Sequence, residues 1–298
     1  MDLGRLRAFL AVSECRHYGR AASRLNITQP TLTKQIQTLE AQVGGRLFDR
    51  GRHGATPTRL GAVLLPEAQS LVRHADALTQ RMTRMAHGEI GTLAVGFGLS
   101  SIDLAPRLVA AFRQRRPGAH VTLDDMSSQR QLDEIKAGRL DVGFVRPPLE
   151  AGWEHLPVGT DRLALAHTDE PPPRPADLPG WAARHDFLQL AQAKGPGLAG
   201  QIRRFRDATG IRPTVVQEAH DLQTVLALVA AGAGAAFVPA SAARIAPSPV
   251  TITPIGHPAA AWQISAVWNR EQLHALMAGF LMLIREQRPA NSRDAWME

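Results

Sequence analysis

A single cysteine, Cys15, stands in 298 residues. One thiol excludes an internal disulfide and a cysteine cluster for zinc, and its place in an apolar amino-terminal segment suits a small buried side chain better than a reactive nucleophile. The sequence also lacks any run of eighteen apolar residues, and its start, MDLGRLRAFL, has no long apolar core of the signal-peptide kind. A soluble cytoplasmic protein without membrane contact is therefore expected. Catalytic signatures are missing too: there is no GxSxG elbow, no HExxH, no Walker loop and no GxGxxG in a strand-to-helix turn. The glycine-rich fragment Lys194 to Gly197 (KGPG) lacks the neighbours that such loops require. These absences argue against an enzyme, and no cofactor or metal is expected. A free-standing solute-binding protein would need an export signal and would not carry the basic amino-terminal module described next.

A hydrophobic content of 44% argues against disorder, and the length leaves room for about two domains, each with its own core. Charge divides along the same line. Residues 1–88 hold 13 Lys+Arg against 6 Asp+Glu, a net of +7, whereas residues 89–298 hold 21 against 21. Arginine outnumbers lysine throughout, but a general preference for arginine would not concentrate the whole excess in one third of the chain. A local excess of this kind is what a phosphate-binding module needs, because neutralising phosphates and releasing counterions supplies the sequence-independent part of affinity for DNA.

Within that third, Ala21 to Leu39 (AASRLNITQPTLTKQIQTL) reads as two short helices joined by a tight turn. Ala21 and Ala22 let a neighbouring helix approach closely, Leu25 gives a buried contact and Asn26 ends the helix. Thr28 can cap the next helix, with Pro30 in its first turn, where an amide hydrogen would have no helical partner. Leu32, Ile36, Leu39 and Val43 recur at intervals of 4, 3 and 4 residues and form one apolar stripe. Gln29, Pro30, Thr31, Thr33, Lys34 and Gln37 are left on a face without carboxylates, suited to base edges and phosphates. The same face read without its context is an ordinary solvated helix surface.

The pattern AAxxLxxxQPxLxxQIxxLE, followed by GRLFDR (Gly45 to Arg50), resembles the amino-terminal domain of LysR-type transcriptional regulators. The resemblance implies a winged helix-turn-helix with the residues matching Gln29, Pro30, Thr33 and Lys34 in the major groove of double-stranded DNA. Leu3, Leu6, Phe9, Leu10 and Ser13 suggest a first helix behind it. RGRHGATPT (Arg50 to Thr58) reads as the wing, with Arg50 and Arg52 placed to enter a minor groove or, alternatively, forming a solvated basic loop. From Thr58 to about Ala86, Leu64, Ala68, Leu71, Ala75, Leu78, Met82 and Met85 are spaced 4, 3, 4, 3, 4 and 3 apart, the seam of a coiled coil, with Pro66 as one irregularity. Such a seam needs a second copy, so a dimer through Leu64, Leu71, Leu78 and Met82 is expected. The resemblance also implies assembly to tetramers in many relatives, with RNA polymerase a further candidate partner.

The expected architecture is α plus α/β. A winged helix-turn-helix spans 1–58 and a linker helix 59–88. A two-lobed, periplasmic-binding-protein-like effector domain spans 89–298, with lobe I at about 89–161 and 266–298 and lobe II at about 162–265. In the first lobe, strands at Leu93 to Gly98, Val121 to Met126 and Leu140 to Val145 alternate with helices at Leu104 to Arg115 and Gln129 to Ala137. After a proline-rich loop from Glu170 to Pro179, the second lobe repeats the alternation. A last strand, Ile264 to Trp268, and a helix from Glu271 to Arg288 return to lobe I, and Pro289 to Glu298 form a tail. Ligands bind beyond the carboxyl ends of such strands, which singles out Ser100, Ser101, Ser127, Ser128 and Arg146. Each serine pair would open a helix, so the group suits a carboxylate; equally, the serines could be mere caps, with Asp103 a competing one. VGFGLS, MSS, LDVGFVR and LVAAGAGAAFVPAS resemble the branch of the family that controls catabolism of aromatic compounds and answers to muconate or benzoate-like acids. In that branch the positions matching Ser100, Ser128 and Arg146 contact the effector, and one matching Leu198 lines the cleft from the second lobe, where Leu222 is placed as well.

Overall fold

The computed structural model describes residues 2–51, 54–147, 152–168 and 177–287, in two units, Met1–Arg84 and Met85–Glu298. Asp2 begins the first unit by accepting a hydrogen bond from the Gly4 amide at 2.7 Å, which caps α1 (Leu3–Cys15). The short turn that follows, Arg16 and His17, leads into α2 (Tyr18–Arg24) and then α3 (Gln29–Val43). Leu6, Phe9 and Val12 of α1, Ala21 and Ala22 of α2, and Leu32, Ile36 and Leu39 of α3 are buried together. The small pair on α2 is what permits that three-helix approach. Cys15, expected to be buried, is half-buried, because it is the last residue of α1 and the chain turns outward at Arg16, which has φ 52°.

Two strands, β1 (Phe48–Gly51) and β2 (Gly54–Pro57), form an antiparallel ribbon, and α4 (Arg59–Ala86) runs on from it without interruption past Pro66. Two tethers fix this ribbon. Glu40 of α3 accepts from the Leu47 amide at 2.7 Å, and the Ala55 amide donates to the Arg16 carbonyl at 2.9 Å. Gly54 sits at φ +99°, and a Cβ there would lie 2.2 Å from the Arg16 carbonyl oxygen, so only glycine fits the crossing.

The second unit is built from two windings of the same kind. In the first, β3 (Ile90–Phe97), α5 (Leu104–Arg115), β4 (Gly118–Asp125), α6 (Ser128–Lys136) and β5 (Val142–Val145) place β3 between β4 and β5, all parallel. In the second, β7 (Asp186–Leu190), α8 (Pro196–Thr209), β8 (Thr214–Ala219), α9 (Leu222–Ala230) and β9 (Ala235–Pro239) place β7 between β8 and β9. Between the windings runs β6 (Glu154–His167), whose first part pairs with β11 (Ala261–Trp268) and whose last part pairs antiparallel with β9. A short strand, β10 (Thr251–Pro254), pairs with the end of β6, and a short helix, α7 (Leu178–Ala182), precedes β7. The sheet order is β4-β3-β5-β11-β6-β9-β7-β8. The final helix, α10 (Ala275–Glu286), packs on the first winding, where Phe280 meets Phe112 edge-on at 5.3 Å.

Several details differ from the sequence reading. β6, fourteen residues long, was not among the expected strands: Pro157, Gly159 and Asp161 interrupt any alternation, and its far end is buried on both faces. Ser100 and Ser101 lie in a tight turn, Leu99–Ser101, and do not open α5, which starts at Leu104. The last helix begins at Ala275, where the His274 Nδ1 accepts from the Met277 amide, so Glu271 belongs to a separate turn. Of the expected proline-rich loop, 170–176 lie outside the described residues, and Pro179 falls in the first turn of α7. The expected tail lies outside them as well. Among the described residues no helix is long and apolar enough to cross a membrane.

Candidate functional site: DNA interface and effector cleft

Asn26, at φ 53°, turns the chain between α2 and α3, and Thr28 Oγ1 accepts from the Thr31 amide at 3.4 Å. The Thr28 and Thr31 hydroxyls also bond to each other at 2.8 Å. With Leu32, Ile36 and Leu39 fully buried, Gln29, Pro30, Thr31, Lys34 and Gln37 are exposed and Thr33 is half-buried. The outer face of α3 thus carries hydrogen-bonding groups and a cation without a carboxylate among them. Arg50 lies opposite Ala55 in the ribbon, its backbone alone being described, and Arg52 falls outside the described residues.

Along α4, Ala68 and Val72 are buried and Leu64 is partly buried in the core of this unit. Beyond them the apolar seam emerges: Leu71, Leu78, Met82 and Met85 are 49%, 58%, 58% and 48% exposed. Leu64 therefore serves the chain's own core, while the other three expected seam residues face outward.

In the second unit, the carboxyl ends of two sets of three parallel strands converge on one cavity of about 290 Å³. Gly98, Leu99 and Ser100 follow β3, Asp125 to Ser128 end β4, and Arg146 ends β5; across from them are Leu190 of β7, Lys194, Gly195, Gly197 and Leu198 at the start of α8, His220 to Leu222 after β8, and Pro239 of β9. Ser100, Ser128, Arg146, Leu198 and Leu222 are brought together here. Ser101 is not: it is buried, and its hydroxyl donates to the Gly98 carbonyl at 3.0 Å.

Arg146 is the centre of the site. Its Nη2 donates to Ser100 Oγ at 3.0 Å, its amide donates to Ser128 Oγ at 3.2 Å, and its guanidinium lies 4.5 Å over the Trp262 ring. Burial pushes its pKa down to about 10; Asp161 opposes that shift and Arg204 adds to it. No carboxylate among the described residues pairs with it directly. Asp103, considered as a cap, instead pairs with Arg244 at 2.9 Å, whereas Ser127 does cap α6 by accepting from the Arg130 amide. Asp221 caps α9 through the Thr224 amide and hydroxyl, and these bonds hold its carboxyl below the usual range. Asp125 is a second carboxylate of the cavity lining, beside Asp221, and desolvation raises its pKa.

The residues that sequence reasoning missed are Asp125, Lys194, His220 and Trp262. The strand-end rule, applied to the second winding as well as the first, points to His220. Trp262 gave no signal, since it reaches Arg146 only through the pairing of β11 with β5. Among the described residues no group of three or more His, Cys, Asp and Glu side chains could hold a metal ion.

A small helical module with a polar recognition face, joined in one chain to a two-lobed α/β ligand-binding unit, defines a ligand-responsive DNA-binding regulator. Residues 3–62 match the bacterial regulatory helix-turn-helix of the lysR family, and residues 86–289 match the LysR substrate binding domain. The chain belongs to the LysR-type transcriptional regulators, which are not enzymes. It is 33% identical to the regulator AlsR of Bacillus subtilis (strain 168) over 249 residues, 82% of each chain. With ClcR of Pseudomonas putida it shares 30% identity, over 95% of this chain and 98% of that one. The structure of full-length CbnR with its target DNA is similar at a TM-score of 0.75 and 27% identity, over 96% of this chain and 99% of that one.

Proposed function

We propose that this regulator reads an operator through Gln29, Pro30, Thr31, Thr33, Lys34 and Gln37, supported by Arg50 and Arg52 of the wing, and is switched by a small organic anion bound at Arg146. The observation that carries the proposal is the guanidinium of Arg146: held by Ser100, stacked on Trp262 and lacking a carboxylate partner, it leaves a positive charge facing a cavity. A buried charge without a partner is costly, and an anionic ligand relieves that cost. The apolar walls of Leu99, Leu198, Leu222 and Ile264 suit an aromatic or unsaturated acid. Likeness to ClcR and CbnR, and the cleft motifs VGFGLS and LDVGFVR, favour the benzoate- and muconate-responsive branch.

Assembly follows from α4. Leu71, Leu78, Met82 and Met85 make an apolar stripe that a second copy would cover, giving a dimer able to hold two half-sites, with tetramers and contact to RNA polymerase as further steps in the cytoplasm. Calorimetry with benzoate and muconate on wild type and Arg146→Ala tests the cleft. Binding lost in the variant supports it; binding of equal strength in both places the effector elsewhere.

A further inference from the structure

Behind Arg146 lies a second cavity, of about 440 Å³, that shares Ser128, Arg146 and Gly197 with the first but is otherwise distinct. Its remaining walls are Gln129, Leu132, Pro147, Pro196, Gly200, Arg203 and Arg204. Three guanidinium groups line it and no carboxylate does, in contrast to the first cavity with Asp125 and Asp221. Arg204 is already oriented: its Nη2 donates to Gln201 Oε1 at 2.5 Å, and the buried Gln201 is itself anchored through Nε2 to the Ala259 and Ala261 carbonyls. The start of α8 contributes as well. It supplies Pro196, Gly197 and Gly200 to the wall, and the small glycines leave the space beside the arginines open.

We propose that this arginine-lined cavity is a second anion site, and that it takes a phosphate group. Arg204 is close enough to oppose the charge on Arg146, and Arg203 adds a third guanidinium to the lining. Among described carboxylates none neutralises the group within salt-bridge distance. A carboxylate carries one charge and two oxygens; a phosphate dianion brings two charges and three terminal oxygens, which matches three forked donors better. Because the cavity shares Ser128, Arg146 and Gly197 with the first, the site rests on the reading of the effector cleft only for the geometry of that shared wall. A phosphate monoester could span both cavities, and free inorganic phosphate could fill the second alone.

The test is titration calorimetry on the full chain at fixed ionic strength, with inorganic phosphate, phenyl phosphate and benzoate as probes, on wild type, Arg203→Ala/Arg204→Ala and Arg146→Ala. Both substituted arginines are exposed, so the double variant keeps its core. Wild type is expected to bind phosphate at least tenfold more tightly than the double variant, while benzoate binds both alike. Tighter binding of phenyl phosphate than of inorganic phosphate would identify a monoester as the source, and the reverse would identify the free ion. The proposal is overturned if phosphate binds both proteins equally, as it would at the basic amino-terminal module, or if only benzoate is weakened by the double substitution. Failure of the effector-cleft reading looks different: benzoate would then be indifferent to Arg146→Ala.

Discussion

A guanidinium pressed between a hydroxyl and an indole ring keeps its charge at neutral pH only because its pKa, about 10, is still well above 7. The folded value lies below the ordinary guanidinium range, so above about 10 the folded chain holds fewer protons than the unfolded one. By linkage, the destabilisation from burying this charge is present at all lower pH and is relieved as pH rises through about 10. Anion binding follows the opposite course. Affinity for benzoate should be level from neutral pH into the mildly alkaline range and should fall as pH passes about 10, as read by calorimetry across a pH series. Arg146→Ala should weaken binding by about 1.5–3 kcal/mol, the worth of a charge-assisted hydrogen bond. Asp125 acts in the other direction. Its raised pKa means that its ionised form, which repels an anion in the same cavity, is lost at a higher pH than for a free carboxyl. Asp125→Asn should therefore strengthen binding of a monocarboxylate at neutral pH and remove the gain that wild type shows on mild acidification; a variant with unchanged affinity and pH profile would take Asp125 out of the site.

Helix α3 and the ribbon that follows it present the face and the wing of the DNA-binding unit. Thr33→Ala should weaken binding to the operator by about 1–3 kcal/mol while hardly changing binding to random DNA. Equal losses on both would mean that this face makes only backbone contacts. Gly54→Ala should destabilise the amino-terminal unit, because the new Cβ would lie 2.2 Å from the Arg16 carbonyl and the backbone cannot relax from φ +99° without releasing the ribbon. Thermal unfolding should show the loss, with the effector domain unaffected. In α4, Leu71→Asp or Leu78→Asp places a charge in the middle of the exposed apolar stripe. Sedimentation should then give monomers, at a cost to the dimer of several kcal/mol for an unpaired buried charge. DNA affinity should drop with it, since one module alone must find one half-site.

For the molecule as a whole, β6 and β11 run between the two windings of the effector unit, and β11 carries Trp262 beside Arg146. A ligand that grips Ser100 and Arg146 on one side and α8 on the other can favour one arrangement of the lobes, and that preference is what a regulator transmits. Arg146→Ala should leave operator affinity without ligand nearly intact and abolish the change of footprint that ligand produces. Arg146→Lys should recover part of it, because an ammonium replaces the charge but not the fork. Footprinting with and without benzoate, on all three proteins, measures the coupling; a ligand-dependent footprint in Arg146→Ala would move the switch away from this cleft.

Much of this organisation was legible in the residues themselves. Helix-turn-helix boundaries were set by local chemistry: Asn26 at a left-handed turn, Thr28 as a cap, Pro30 in a first turn, and an apolar stripe of period 3.6. The charge division and the seam of α4 were equally local, since periodicity and net charge need no folded partner to be read. Strand ends in the first winding led to Ser100, Ser128 and Arg146 because parallel α/β units place ligands there by geometry alone. Other features depended on contacts between residues far apart in sequence. The strand β6 owes its existence to β11 and β9, not to its own pattern. Arg146 stacks on Trp262, 116 residues away, and shares a cavity with Arg203 and Arg204 only after α8 docks across the cleft. Local rules chose the elements; which side chains meet across the cleft was decided by how the lobes pack, because that proximity is a property of the folded chain and leaves no periodic trace in the sequence.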